Sequence, residues 1–178
     1  MAGQMSQLER KSIEPIAVNI EDAKVRAMQH FLSDVVWDEE RIISRYHDMV
    51  AEDLGDGEGV LIFDESGFVK KGNDSAGFAR QYCGTIGKVE NCQVGVLAAY
   101  ASAKGATLLD RQLYVPEEWF AAASQARRER CGMPEEVTFQ TQLELAWAIL
   151  QGLIDRKVVM FRWVLGDEAF GRDSTLLD

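Results

Sequence analysis

Two apolar runs in this chain each end in a pair of acids. Residues 60–63 are followed by Asp64 and Glu65, and residues 158–165 are followed, after one glycine, by Asp167 and Glu168. Short apolar runs bounded by glycine and polar residues are typical of buried strands. Open α/β sheets build their sites at the carboxyl ends of such strands. Carboxylate oxygens are ligands that magnesium prefers, so the pattern predicts a divalent-metal site that contains Asp64 and Asp167.

Each acid also has a purely structural interpretation. Aspartate is common in turns, and the residues that follow Asp64 suggest a glycine turn at Gly67. Asp167 has the sequence signature of a helix N-cap. Glu65 and Glu168 are expected to point away from the candidate ligands, because successive side chains of an extended strand alternate between faces.

The composition predicts one globular domain with room for a small appendage. The chain has 178 residues, of which 47% are hydrophobic, so it can bury a core. We find no apolar stretch of membrane-spanning length and no signal-peptide core, and we expect a cytoplasmic protein. The three cysteines, Cys83, Cys92 and Cys131, lack a Cys-x-x-Cys pair. We expect these cysteines to be small buried or half-buried residues rather than ligands of a zinc site.

The net charge of −10 is unevenly distributed. The balance is −7 over residues 1–58, +1 over residues 59–116 and −4 over residues 117–178. The middle segment contains the cations Lys70, Lys71, Arg80 and Lys88. This is a weak electrostatic footprint for nucleic acid, since a dedicated DNA-binding domain usually has a strong basic stripe.

The elements that position the acids follow from periodicity. Residues 20–54 have helical spacing, with Asp38 as an N-cap, and the glycine-rich segment 55–59 ends this helical region. Strands are predicted at residues 61–64, 94–100, 107–115 and 158–165, with residues 103–106 as a hairpin turn. Pro116 is expected to open a helix. Thr141 and Glu144 fit a capping box for an amphipathic helix over residues 141–154.

The helix over residues 141–154 is predicted to pack against the core through one apolar stripe. The stripe consists of Leu143, Ala146, Trp147, Leu150, Leu153 and Ile154. Trp147 and Trp163 are expected in the core, and Trp119 is expected to pack at a helix start. The order of strand, antiparallel hairpin, helix and strand predicts an α/β fold with a ribonuclease-H-like mixed sheet flanked by helices.

Five stretches of the chain resemble bacterial insertion-sequence transposases with a DDE superfamily endonuclease domain. They are ERKSIEPIA at residues 9–17, LIFDESGFVKKG at 61–72, ARQYCGTIGKVENCQV at 79–94, DRQLYVPEEW at 110–119 and GDEAFG at 166–171. They occur in the family's order along nearly the whole chain. The resemblance implies a partial helical N-terminal region over residues 1–55 and a ribonuclease-H-like catalytic domain over residues 56–178.

The resemblance further implies DNA cleavage and strand transfer at insertion-sequence ends. Asp64 matches the first of three metal-binding acids and Asp167 the second. Two Mg²⁺ or Mn²⁺ ions are implied in the intact enzyme, with Asp64 bridging both and Asp167 holding one. Lys70, Lys71, Arg80 and Lys88 are candidate DNA contacts, although Lys70 and Lys71 also suit a solvated loop.

The third acid of the family pattern has no match in this chain. Asp173 and Asp178 follow Asp167 too closely to replace it. We therefore expect a chain truncated at both ends and inactive alone. The alternative function is a non-catalytic module that binds DNA or full-length transposase and regulates it, or that forms a homo-oligomer. A gene product without a role is a third interpretation.

Overall fold

A computed structural model describes residues 7–72, 75–167 and Phe170. The chain divides into two compact units, residues 1–43 and residues 44–178. In the first unit, helices α1 (Ile13–Asn19) and α2 (Val25–Ser33) precede the start of α3 (Glu39–Leu54). The Asp38 carboxylate accepts a hydrogen bond from the Arg41 N–H at 3.0 Å, which confirms Asp38 as the N-cap of α3.

The second unit contains a mixed sheet of five strands. They are β1 (Val60–Val69), β2 (Ala79–Cys83), β3 (Lys88–Ser102), β4 (Gly105–Tyr114) and β5 (Trp163–Gly166). β1 and β3 are antiparallel neighbours, β3 pairs antiparallel with both β2 and β4, and β5 pairs parallel with β1. Helices α4 (Gln125–Arg130) and α5 (Gln142–Asp155) lie between β4 and β5 along the chain. The predicted ribonuclease-H-like α/β fold is confirmed.

Helix α5 covers one face of the sheet. Its buried residues are Leu145, Ala146, Ile149, Leu150 and Leu153, and they form one cluster with Leu61 and Phe63 of β1 and with Val96 and Tyr100 of β3. Burial of each large aliphatic side chain contributes about 1.5–3 kcal/mol. Thr141 and Glu144 form the predicted capping box.

The predicted stripe of α5 is partly wrong. Leu145 and Ile149 are buried, whereas Trp147 is 40% exposed and Ile154 is 45% exposed. Trp163 is also 58% exposed, so the prediction that both tryptophans lie in the core is wrong. The helix is apolar around much of its circumference, and periodicity alone does not select which apolar residues face the sheet.

Several strand boundaries differ from the predicted ones. β1 continues through Gly67, which pairs with Val94, so the predicted glycine turn is wrong. A Cβ atom on Gly67 would lie 2.5 Å from Cys83 Sγ, and close packing therefore explains this glycine. β2 and the first part of β3 were not predicted. β5 begins at Trp163 rather than residue 158, and the predicted hairpin between β3 and β4 is confirmed.

A second cluster forms around Trp119, which is fully buried against Phe78 and Val115. The carbonyl of Phe78 accepts hydrogen bonds from Trp119 Nε1 at 3.0 Å and from Arg127 Nη2 at 2.8 Å. The Arg127 guanidinium also lies 3.8 Å from the Trp119 ring centre. Trp119 packs as predicted, and the helix that Pro116 opens is a 3₁₀ helix (Glu117–Phe120), followed by a second one (Ala122–Ser124) and then α4.

The burial of the cysteines agrees with the prediction of small buried or half-buried residues. Cys83 and Cys92 are buried, Cys131 is half-buried, and all three are free thiols. No helix within the described part of the chain is both long enough and apolar enough to cross a membrane.

Candidate metal centre

The register of β1 and β5 determines where the two predicted aspartates lie. Phe63 pairs with Gly166 in parallel, and this pair is the last one between the two strands. Asp64 is the next residue of β1 and Asp167 is the residue after β5, so both lie where β5 stops pairing with β1, although they are 103 positions apart along the chain. β1 continues to Val69, so Asp64 lies within the strand, and the prediction that it marks the carboxyl end of that strand is wrong.

Three carboxylates converge at this point. One oxygen each from Asp64, Glu65 and Asp167 lies within 4.8 Å of the other two. Asp64 and Asp167 are exposed, and Glu65 is half-buried. The prediction that Glu65 points away from the candidate ligands is therefore wrong. Strand alternation places Glu65 on the same face as Leu61 and Phe63, opposite Asp64. The pairing between β1 and β5 ends at Phe63, one turn of the alternation before Glu65. The Glu65 side chain can therefore reach the other two carboxylates past the end of β5.

Backbone amides already hold two of the carboxylates. Asp64 Oδ1 accepts a hydrogen bond from the Glu65 N–H at 2.9 Å, and Asp167 Oδ1 accepts one from the Phe170 N–H at 3.3 Å. The second bond is the N-cap interaction that the sequence suggests for Asp167. A carboxylate has two oxygens and about four lone-pair sites, so an amide bond leaves capacity for a cation. The capping and ligand interpretations of Asp167 are therefore compatible.

Glu65 is the member of the cluster whose negative charge is least favoured by its surroundings. Its Oε2 atom is buried and has no hydrogen-bond partner among residues 7–72, 75–167 and 170. Such an atom typically costs about 1–3 kcal/mol. Burial raises the pKa of the Glu65 carboxyl, and the negative charges of Asp167 and Asp64 raise it further. A cation at this point would offset both the repulsion and the lost hydrogen bonding.

The donor set fits a hard divalent cation. Magnesium binds oxygen at 2.0–2.1 Å, so two oxygens on one ion lie at most about 4.2 Å apart. In an octahedral site at most one pair of the three oxygens is trans, and oxygens that are cis lie about 2.9 Å apart, so on magnesium binding the oxygens would close by up to about 2 Å from their 4.8 Å limit. Calcium, with its longer bonds of 2.3–2.6 Å, also fits the three oxygens on distance alone.

The four predicted DNA-contact cations lie at one end of the sheet. The Lys70 N–H donates to the Asn91 carbonyl at 3.2 Å, and Arg80 pairs with the same Asn91 across β2 and β3. Lys88 is the first residue of β3 and lies 3.7 Å from Glu90. Lys70 Nζ donates to Ser75 Oγ at 3.3 Å.

Lys70 and Lys71 follow the end of β1 and are exposed. Six residues separate Asp64 from Lys70 along β1, which corresponds to about 20 Å. These cations therefore lie beyond the carboxylates in the direction of β1 rather than among them. Their role in binding DNA stays a prediction.

Sequence reasoning missed Glu65 as a member of the cluster. The only available signal was its position one residue after Asp64 at the predicted end of a strand, and the point where β5 stops pairing is a tertiary property. Glu168, Asp173 and Asp178 lie outside the described residues, so the predictions made for them remain predictions.

Comparisons with known proteins agree on one family. The family model described as DDE superfamily endonuclease matches residues 1–178. The probable transposase for insertion sequence element IS701 of Microchaete diplosiphon is 29% identical over 173 residues. This alignment covers 97% of the present chain and 42% of the relative, so the chain spans less than half the length of that relative. No solved structure matches the chain significantly.

Proposed function

This chain belongs to the DDE superfamily endonuclease family, and we propose that it forms the metal-holding part of a transposase that cuts and rejoins DNA at insertion-sequence ends. The convergence of Asp64, Glu65 and Asp167 where β5 ends beside β1 is the observation that carries this proposal. The chain spans 42% of its relative, and the activity of a whole transposase is therefore part of the proposal.

In the proposed reaction the carboxylates of Asp64 and Asp167 hold Mg²⁺ or Mn²⁺. A bound divalent ion activates the attacking water or 3′-hydroxyl and stabilises the leaving oxygen of the phosphodiester. The chain's own contribution is to fix the two aspartates through the Phe63–Gly166 register and the two amide hydrogen bonds. Phosphate and the two carboxylates would repel one another without a cation, so the aspartates would hold the ion that makes a phosphodiester acceptable at this point.

Lys70, Lys71, Arg80 and Lys88 are proposed to contact the DNA backbone. Lysine and arginine contacts to phosphate fix the register of a duplex without reading its sequence. We propose the helical region 1–55 and the catalytic region 56–178 as functional divisions. DNA with insertion-sequence terminal repeats is the proposed partner, with a second copy or a full-length transposase as a protein partner, in the cytoplasm or on the nucleoid.

A nicking assay tests the catalytic proposal. The chain is mixed with DNA that carries the element's terminal repeat and with Mg²⁺ or Mn²⁺, and strand breaks are counted. If the isolated chain is catalytically competent, the result is metal-dependent nicking that disappears in Asp64→Ala, with Glu52→Gln as a control for loss of one exposed acid on α3. Nicking that persists in Asp64→Ala contradicts the assignment of Asp64.

The same assay tests the expectation that this chain is inactive alone. If wild-type chain binds terminal-repeat DNA without nicking it, and Asp64→Asn binds equally well, the non-catalytic regulatory function is supported instead. Binding of that kind should weaken steeply with salt because phosphate contacts release counterions. Absence of both nicking and salt-sensitive binding contradicts both functions for the isolated chain.

A further inference from the structure

We propose that Glu65 is itself a ligand of the divalent cation, so that three carboxylates at the point where β5 ends beside β1 bind the ion. This inference rests on the proposed metal-dependent function and extends it to a residue that neither the family resemblance nor the spacing of the acids assigns. The site then contains three carboxylates supplied by β1 and by the residue that follows β5.

Proximity is the first argument. One carboxylate oxygen of Glu65 lies within 4.8 Å of one oxygen of Asp64 and of one oxygen of Asp167. Adjacent strand residues normally project to opposite faces. Here the two side chains border the end of the β1–β5 pairing, at Phe63 and Gly166, and both reach the same space.

The unpartnered oxygen is the second and independent argument. Glu65 Oε2 is buried without a hydrogen-bond partner among the described residues, although buried carboxylate oxygens are normally satisfied. A glutamate that only filled space would be better replaced by glutamine or leucine, because its charge faces two further carboxylates. A cation bound between the three groups supplies the missing partner and neutralises the repulsion.

The amide contacts of the neighbours support the same assignment. One oxygen of Asp64 is bonded to the Glu65 N–H, and one oxygen of Asp167 is bonded to the Phe170 N–H. Each aspartate carboxylate is thereby oriented by a backbone amide. Glu65 brings the cluster to three negative charges, and the number of charged ligands is one factor that sets cation affinity.

Direct measurement of Mn²⁺ binding tests the proposal without reference to activity. Electron paramagnetic resonance of free Mn²⁺ gives the dissociation constant for the whole chain and for three variants. Glu65→Gln keeps the shape of the side chain and removes its charge. Asp64→Asn is the reference for loss of a ligand, and Glu52→Gln is the control for loss of an exposed charge on α3. We expect Glu65→Gln and Asp64→Asn each to weaken binding by about tenfold or more, since loss of even an outer-shell partner costs about 10–100-fold.

The outcomes separate this inference from the proposed function. Unchanged Mn²⁺ affinity in Glu65→Gln, together with weakened affinity in Asp64→Asn, overturns the role of Glu65 and leaves the metal-dependent function standing. Failure of the wild-type chain to bind Mn²⁺ overturns both. A loss in Glu65→Gln that is matched by Glu52→Gln shows a nonspecific charge effect and also overturns the inference. Thermal unfolding of each variant with a chelator present verifies that all of them are folded.

Discussion

Gly166 lies so close to Phe170 that a Cβ atom on the glycine would be 2.8 Å from the Phe170 Cβ. The same glycine is the last partner of β1 and the residue before Asp167. The backbone at the end of β5 is therefore fixed from two sides, by the pairing with Phe63 and by the aromatic side chain that belongs to the main core. This packing determines where the Asp167 carboxylate lies.

Replacement of this glycine should damage both stability and the metal centre. Gly166→Ala forces the strand end or Phe170 to move, and overpacking of this kind typically costs about 1–3 kcal/mol. We expect a lower free energy of unfolding in urea and weaker Mn²⁺ binding. Gly57→Ala is the matched control, because a Cβ at Gly57 meets no atom within 4 Å. Equal effects of the two substitutions would contradict the packing argument.

The raised pKa of Glu65 predicts a pH-dependent stability. Because the folded pKa exceeds the ordinary value of 4.5, the folded state holds the Glu65 proton more tightly than the unfolded chain. The contribution of Glu65 protonation to the free energy of unfolding is fully present at pH values below the ordinary pKa. This contribution is lost as the pH rises through the pKa of Glu65 in the folded state. In a chelator-containing buffer, Glu65→Gln should therefore be more stable than wild type near neutral pH.

This difference should shrink as the pH falls toward the ordinary glutamate range, where wild-type Glu65 is protonated. Thermal melting at a series of pH values checks both limits. Addition of Mg²⁺ or Mn²⁺ near neutral pH should stabilise wild type more than Glu65→Gln. A constant difference between the two proteins at every pH would show that the substitution acts through packing rather than through charge.

The capping box of α5 should be a measurable contributor to stability. The Glu144 N–H donates to Thr141 Oγ1 at 3.2 Å, and the Thr141 N–H donates to the Glu144 carboxylate at 2.7 Å. Thr141→Ala removes the first bond and should lower the free energy of unfolding by about 1 kcal/mol. Exposed Thr138, which precedes the helix, provides the control Thr138→Ala. Urea unfolding of both variants makes the comparison.

The capping box also makes the free energy of unfolding depend on pH, in the opposite direction to Glu65. The Thr141 backbone bond, and then its hydroxyl bond, lower the pKa of Glu144 below 4.5. A lowered folded pKa contributes stability that is present above the ordinary value and is lost as pH falls through the folded pKa. The free energy of unfolding of Glu144→Gln should therefore fall less than that of wild type when the pH is lowered. Glu135→Gln, which changes an exposed residue in a loop, is the control and should show the same fall as wild type.

The proposed DNA contacts predict a change in salt dependence. If Lys70 and Lys71 each contact one phosphate, the double variant Lys70→Ala/Lys71→Ala should reduce the slope of log affinity against log salt by about 1.8. Lys104→Ala is the control. Lys104 lies in the β3–β4 turn at the opposite end of the sheet, about 30 Å from Lys70 along β3. Fluorescence anisotropy with duplex DNA at several salt concentrations measures the slopes, and identical slopes would remove these lysines from the interface.

Local sequence determined the elements whose signals are local. The Thr141–Glu144 capping box, the Asp38 N-cap and the β3–β4 hairpin were predicted because each depends on residues a few positions apart. Asp64 and Asp167 could likewise be selected, since both follow apolar runs. Trp163 was misplaced because an apolar residue in a strand signals burial only when something covers its face, and its side chain is 58% exposed.

The sequence by itself determined the types of the candidate ligands, the position of Asp167 after the last strand, and the family resemblance, but it ended the strand of Asp64 five residues too early. Tertiary structure alone decided that Glu65 joins the two aspartates. That outcome depends on the residue at which two strands, distant in the chain, stop pairing, and on the burial of one oxygen. Neither leaves a pattern in the local sequence, because strand register is set by packing across the whole sheet.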